Sequence, residues 1–97
     1  MEFDYSLIDN LTEEWLAAWE AGNDIAFGRS LAVMPFAGDE VDYVYLTYPE
    51  FNRTTFETFK ADLAKQTKLE AQRLTVSYFS IGYCKNGFIF GAKLIQL

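Results

Sequence analysis

A chain of 97 residues with a net charge of −6 and no histidine has the length of one domain, and it lacks the commonest general base and zinc ligand. Its apolar fraction of 51% and aromatic fraction of 18% exclude a disordered chain. A domain of this size buries roughly 60–65% of its extended surface, enough to fold without a metal or disulfide.

The single cysteine, Cys84, has no partner within the chain, which points to a reducing compartment. Glu2 and Asp4 stand where a leader would carry positive charge, and apolar runs such as residues 31–37 are too short to cross a bilayer. The expectation is a cytoplasmic protein, in the bacterial host cytoplasm if phage-encoded.

In chain order, Phe3, Tyr5 and Leu7 alternate as in a short strand or ordered arm. Residues 9–22 read as a helix. Asp9, Asn10 or Thr12 caps it, Glu13 and Glu14 favour its dipole, and Gly22 stops it. Leu11, Trp15, Ala18 and Trp19 fall on one stripe. Asn23 and Asp24 cap a second, short helix through Ile25 and Phe27.

From Arg29 the pattern reads as extended. Gly38-Asp39 forms a turn pairing Phe36 with Val41 and Met34 with Tyr43; the alternative continues the short helix to Met34. Tyr48-Pro49 ends the strand that follows. Thr54-x-x-Glu57 is a capping box opening a helix to about residue 67 or 69. Its inner stripe is Phe56, Phe59 and Leu63, with Lys60, Lys65 and Lys68 outward.

Residues 74–97 carry the strongest signal, Asn86-Gly87 between two apolar runs. With those two residues as the loop, Tyr83 faces Phe90, Ile81 faces Ala92 and Phe79 faces Leu94, making one apolar wall. Gly82 and Gly91 oppose each other, which reads as sheet curvature. The whole is one compact unit, residues 1–97, of the α+β class. It is an antiparallel sheet of about four strands in two hairpins, with two to three helices packed mainly on one face.

Nothing in the chain resembles a catalytic or cofactor motif, so the reading is a binding protein, not an enzyme, with no cofactor and no metal. Charge carries the functional argument. Residues 1–50 hold eleven acids against Arg29 alone, and residues 51–97 hold three acids against seven bases. Such asymmetry predicts an electrostatically specialised surface that repels nucleic acid and anionic membrane and attracts a basic partner.

Glu13, Glu14, Glu20, Asp24, Asp39, Glu40 and Asp42 are the candidate partner-binding carboxylates, placed to stand in for phosphates if the helix and the turn lie side by side. Tyr43 and Tyr45 join them as candidates, since tyrosine is enriched at interfaces.

In size, in the acids of its first half, in its aromatic content and in its lack of histidine and of an enzymatic motif, the chain resembles the phage-encoded anti-CRISPR proteins. More narrowly, it is similar to those that mimic duplex DNA. The resemblance implies inhibition by occupying the basic DNA-binding surface of a Cas subunit in a type I surveillance complex, with those carboxylates as phosphate substitutes. The alternatives are a small phage or bacterial assembly module, joined through its tyrosine face, and an immunity or antitoxin-type partner of a basic nuclease.

Overall fold

Two long strands, β4 (Arg73–Cys84) and β5 (Gly87–Gln96), form the centre of the sheet. The computed structural model describes residues 2–23, 27–30, 41–70 and 72–96. The remaining elements are β1 (Glu2–Asp4), α1 (Ser6–Glu20), β2 (Phe27–Ser30), β3 (Val41–Tyr48) and α2 (Arg53–Gln66).

The β4–β5 hairpin forms, but its register differs from the expected one by two residues. Cys84 faces Gly87, Tyr83 faces Phe88, Ile81 faces Phe90 and Phe79 faces Ala92. A slip of two leaves every side chain on its predicted face. Its cause is local: no non-glycine residue among those described has positive φ, so Asn86 does not enter a type I′ turn. The loop is Lys85-Asn86, and Gly87 takes the positive φ of 129°. A Cβ there would lie 2.5 Å from the Tyr48 carbonyl oxygen. Gly82 therefore faces Ile89, and Gly91 faces Ser80.

The sheet has five strands and is mixed, where about four antiparallel strands were expected. β3 lies antiparallel to β5 along its whole length. On the other side of β4, β2 pairs antiparallel with residues 78–81 while β1 pairs parallel with residues 73–75. β1 and β2 thus share one edge of β4, each too short to cover it alone. The residues expected to pair with β3, Met34 and Phe36, lie outside the described residues, as does the Gly38-Asp39 turn.

The helices also depart from the expected limits. α1 begins at Ser6, with the Asp4 carboxylate accepting the Ser6 backbone N–H at 2.9 Å and the Ser6 hydroxyl as well. Phe27 and Gly28, read as part of a short helix, lie in a strand instead, together with Arg29 and Ser30, which read as extended. Phe27 stacks on Trp15 with ring centroids 5.4 Å apart, and tertiary packing overrides the local capping signal. α2 begins at Arg53, and its cap is Asn52, whose side-chain oxygen accepts the Thr55 N–H at 2.9 Å. The Thr54 box is thus displaced by an extended Asn52 two residues earlier.

Both helices cover the same face of the sheet. Leu7, Ile8, Leu11 and Trp15 from α1 meet Phe56, Phe59 and Leu63 from α2 over Leu74, Val76, Phe79, Ile81, Phe90, Ala92 and Leu94. Phe79 lies between Trp15 at 5.1 Å and Phe59 at 5.4 Å. The predicted apolar wall is buried except at Tyr83, which is 51% exposed at the hairpin tip.

Candidate partner-binding surface

Of the seven carboxylates, four lie in the described residues: Glu13, Glu14 and Glu20 on α1 and Asp42 at the start of β3. Glu13 and Glu14 are exposed on α1, where Glu13 pairs with Arg53 at 2.7 Å and Glu14 with Arg29 at 2.9 Å. Asp9, one turn earlier, pairs with Lys60 at 2.7 Å. Three of the seven bases of the second half, Arg53, Lys60 and Arg73, are thus folded against acids of the first, so the asymmetry along the sequence is partly cancelled in space. Glu20 is exposed at the end of α1. Asp24, Asp39 and Glu40 lie outside the described residues.

Asp42 has a structural task. Its carboxylate accepts the Lys68 backbone N–H at 2.8 Å and the Thr67 hydroxyl at 3.1 Å. It thereby ties the chain leaving α2 to the start of β3.

Lys60 was expected to point outward, yet its side chain is only 17% exposed. Its ammonium lies 5.8 Å from the Tyr5 ring centroid and also meets Glu57 at 3.1 Å. Burial opposes its charge, but hydrogen bonds to Asp9 and Glu57 outweigh that and hold its pKa above the usual lysine value. Tyr48 donates to Asp62 at 2.8 Å, and burial together with this carboxylate pushes its phenol pKa up.

Tyr43 and Tyr45 stand elsewhere. They alternate along β3 with Val44, which belongs to the core, so they lie on the face away from the helices. They are 57% and 60% exposed. The register sets out three rows on this face. Ser30, Tyr78, Lys93 and Tyr43 form the first, Gly28, Ser80, Gly91 and Tyr45 the second, and Gly82, Ile89 and Thr47 the third. Beyond the first row Ile95 is buried, while Val41 opposite it on β3 is 37% exposed.

The second row is a floor of small residues, and tyrosines lie over it. A Cβ on Gly91 would come within 2.6 Å of the Tyr45 ring, and one on Gly28 within 2.3 Å of the Tyr78 hydroxyl. Between the two rings runs an open groove of about 280 Å³, lined by Gly28, Tyr45, Tyr78, Ser80, Gly82 and Ile89. Its lining is mostly apolar.

Lys93 lies in the first row between Tyr78 and Tyr43, partly buried. It is the sole charged side chain of the three rows, and no acid among the described residues pairs with it. The sequence signal for this surface is the second face of the hairpin, Tyr78-x-Ser80-x-Gly82 opposite Ile89-x-Gly91-x-Lys93. The stronger apolar pattern of the opposite face masks it.

Comparisons with protein-family models, curated proteins and solved structures find no match to this chain. The functional reading therefore rests on the geometry of the two surfaces. No helix among the described residues is long and apolar enough to cross a membrane.

Proposed function

We propose that this chain is a binding protein that docks a partner protein on the helix-free face of its sheet, with Tyr43, Tyr45 and Tyr78 as the anchoring side chains. The observation that supports this reading is the exposure of three tyrosines around a small-residue floor on a face that neither helix covers. Exposed aromatic clusters bury large area at low conformational cost and are enriched at protein interfaces.

Capture of partners from a bacterial lysate by a tagged protein tests it, with Tyr43→Ser/Tyr45→Ser and Glu13→Lys/Glu14→Lys/Glu20→Lys run beside the wild type. Loss of the recovered partner with the tyrosine variant and its retention with the charge variant is the expected result.

A second reading is the acidic inhibitor that occupies the DNA-binding surface of a basic protein. The exposure of Glu13, Glu14 and Glu20 on one helix supports it. The ion pairs of Glu13 and Glu14 are solvent-exposed and worth at most about 1 kcal/mol each, so Arg53 and Arg29 are readily exchanged for bases of a partner. The reverse outcome, loss with the charge variant and release by added duplex DNA, selects this reading over the first.

A further inference from the structure

The groove beside Lys93 specifies the chemistry of its occupant more narrowly than the exposed tyrosines alone, a specification that rests on the sheet-face reading of the function. At about 280 Å³ the groove lies just below the range of roughly 300–1,000 Å³ typical of small-molecule pockets. It is the size of one large side chain rather than a whole ligand. Its lining asks for an apolar, planar or branched group held between Tyr45 and Tyr78.

Lys93, in the adjoining row, supplies one positive charge with no acid opposite it among the described residues. A partner segment with one carboxylate beside the inserted side chain is the complement. A polyanion is disfavoured: nucleic acid binding draws on several bases contacting phosphates, the three rows provide one, and the chain carries −6 overall. The β1 end of the sheet adds Glu2 and Asp4, with Arg73 opposite Glu2 and paired to it.

We infer that the groove takes an aromatic or large aliphatic side chain of a partner polypeptide, with a neighbouring carboxylate of the same segment paired to the Lys93 ammonium. The two contacts recognise different things, shape and charge, and either is separately removable. Gly82 is the position at which to fill the groove, because a Cβ there meets only Ile89 Cγ2 at 3.9 Å. Gly82→Val therefore closes the floor with little disturbance of the sheet.

The test is a titration of the isotope-labelled protein with N-acetyltryptophan, followed by amide chemical shifts. The controls are N-acetyltryptophanamide, which lacks the carboxylate, and a short single-stranded oligonucleotide. The expected result is a set of shifts confined to the residues lining the groove, Tyr45, Tyr78, Ser80, Gly82 and Ile89 among them, and to Lys93 beside it. Affinity should fall roughly two- to five-fold for the amide or for Lys93→Gln, the scale of an exposed ion pair, and be lost in Gly82→Val. A preserved amide spectrum elsewhere in Gly82→Val separates groove filling from misfolding.

Equal affinity for acid and amide overturns the Lys93 assignment, and shifts elsewhere, or none, overturn the groove. Tighter binding of the oligonucleotide at these amides replaces the peptide with a base-stacking ligand. If a partner is captured through Tyr43 and Tyr45 while the groove fails, the sheet-face reading stands and the occupant assigned here does not.

Discussion

The carboxylate of Glu13 lies 2.7 Å from the guanidinium of Arg53, although the two side chains belong to opposite ends of the charge asymmetry in the sequence. Lys60 meets Asp9, and Arg73 meets Glu2, across the same divide. A chain whose halves carry opposite charge folds so that α1 and α2 exchange it.

These pairs differ in what they contribute. Glu13 and Arg53 are 73% and 59% exposed, so Glu13→Gln and Arg53→Gln are each expected to change the unfolding free energy by less than about 1 kcal/mol. Lys60→Ala should cost more than either, because it also uncovers Tyr5 and leaves Asp9 and Glu57 without their common cation. Urea unfolding of the three variants checks the order.

In the core, Phe79→Ala is expected to cost about 3–5 kcal/mol. Phe79 is fully buried and packs against Trp15, Phe56, Phe59 and Phe90. With total stabilities of about 5–15 kcal/mol for domains, this variant should be marginal at room temperature, as read from its denaturant midpoint.

The two candidate caps of α2 are separable. Asn52→Ala should cost about 1 kcal/mol, the usual value for a cap that accepts a first-turn N–H. Thr54→Ala should be close to neutral, since Thr54 is exposed within the first turn. Thermal unfolding of both variants decides it, and the reverse order would restore the capping box read from Thr54 and Glu57.

What was legible in the sequence came from short-range periodicity. The stripes of Leu11 and Trp15 and of Phe56, Phe59 and Leu63, and the wall from Phe79 to Leu94, need only a helical or alternating pattern. What was not legible is non-local. Nothing near Phe3 announces that it will lie parallel beside Leu74, and the capping signal at Asn23 gives no hint that Phe27 will stack on Trp15.

Charge alone does not locate a surface, for the same reason. Net charge by half is a property of the chain, while Asp9–Lys60 is a contact of the fold. Asp42 illustrates this at one residue: it follows the acidic Asp39-Glu40 pair in the sequence, yet its carboxylate is taken by Thr67 and Lys68.

Tyr48 makes stability depend on pH in the alkaline range. Its folded-state pKa is raised by burial and by Asp62, so its contribution is complete below the unfolded value of about 10 and is lost as pH rises through the folded value. Tyr48→Phe should flatten the loss of stability above that pH. Unfolding free energies of wild type and variant between neutral and alkaline pH measure the difference.

Asp4 acts in the opposite range. Hydrogen bonds from the Ser6 hydroxyl and backbone N–H, with Arg73 nearby, hold its carboxyl below the usual value. Its contribution is present above the unfolded pKa of about 3.9 and is lost as pH falls through the folded value. Asp4→Ala should reduce the acid-side slope of stability and loosen the start of α1, visible as faster amide exchange at Ser6 and Leu7.

The central claim is that a partner protein meets the helix-free face of the sheet. Hydroxyl-radical footprinting of the chain, alone and in the complex it forms, tests this most directly because it reads each exposed side chain. The account predicts protection of Tyr43, Tyr45 and Tyr78 in the complex, with α1 residues such as Leu16 unchanged. Protection along α1 with Tyr43 and Tyr45 still fully reactive would contradict it.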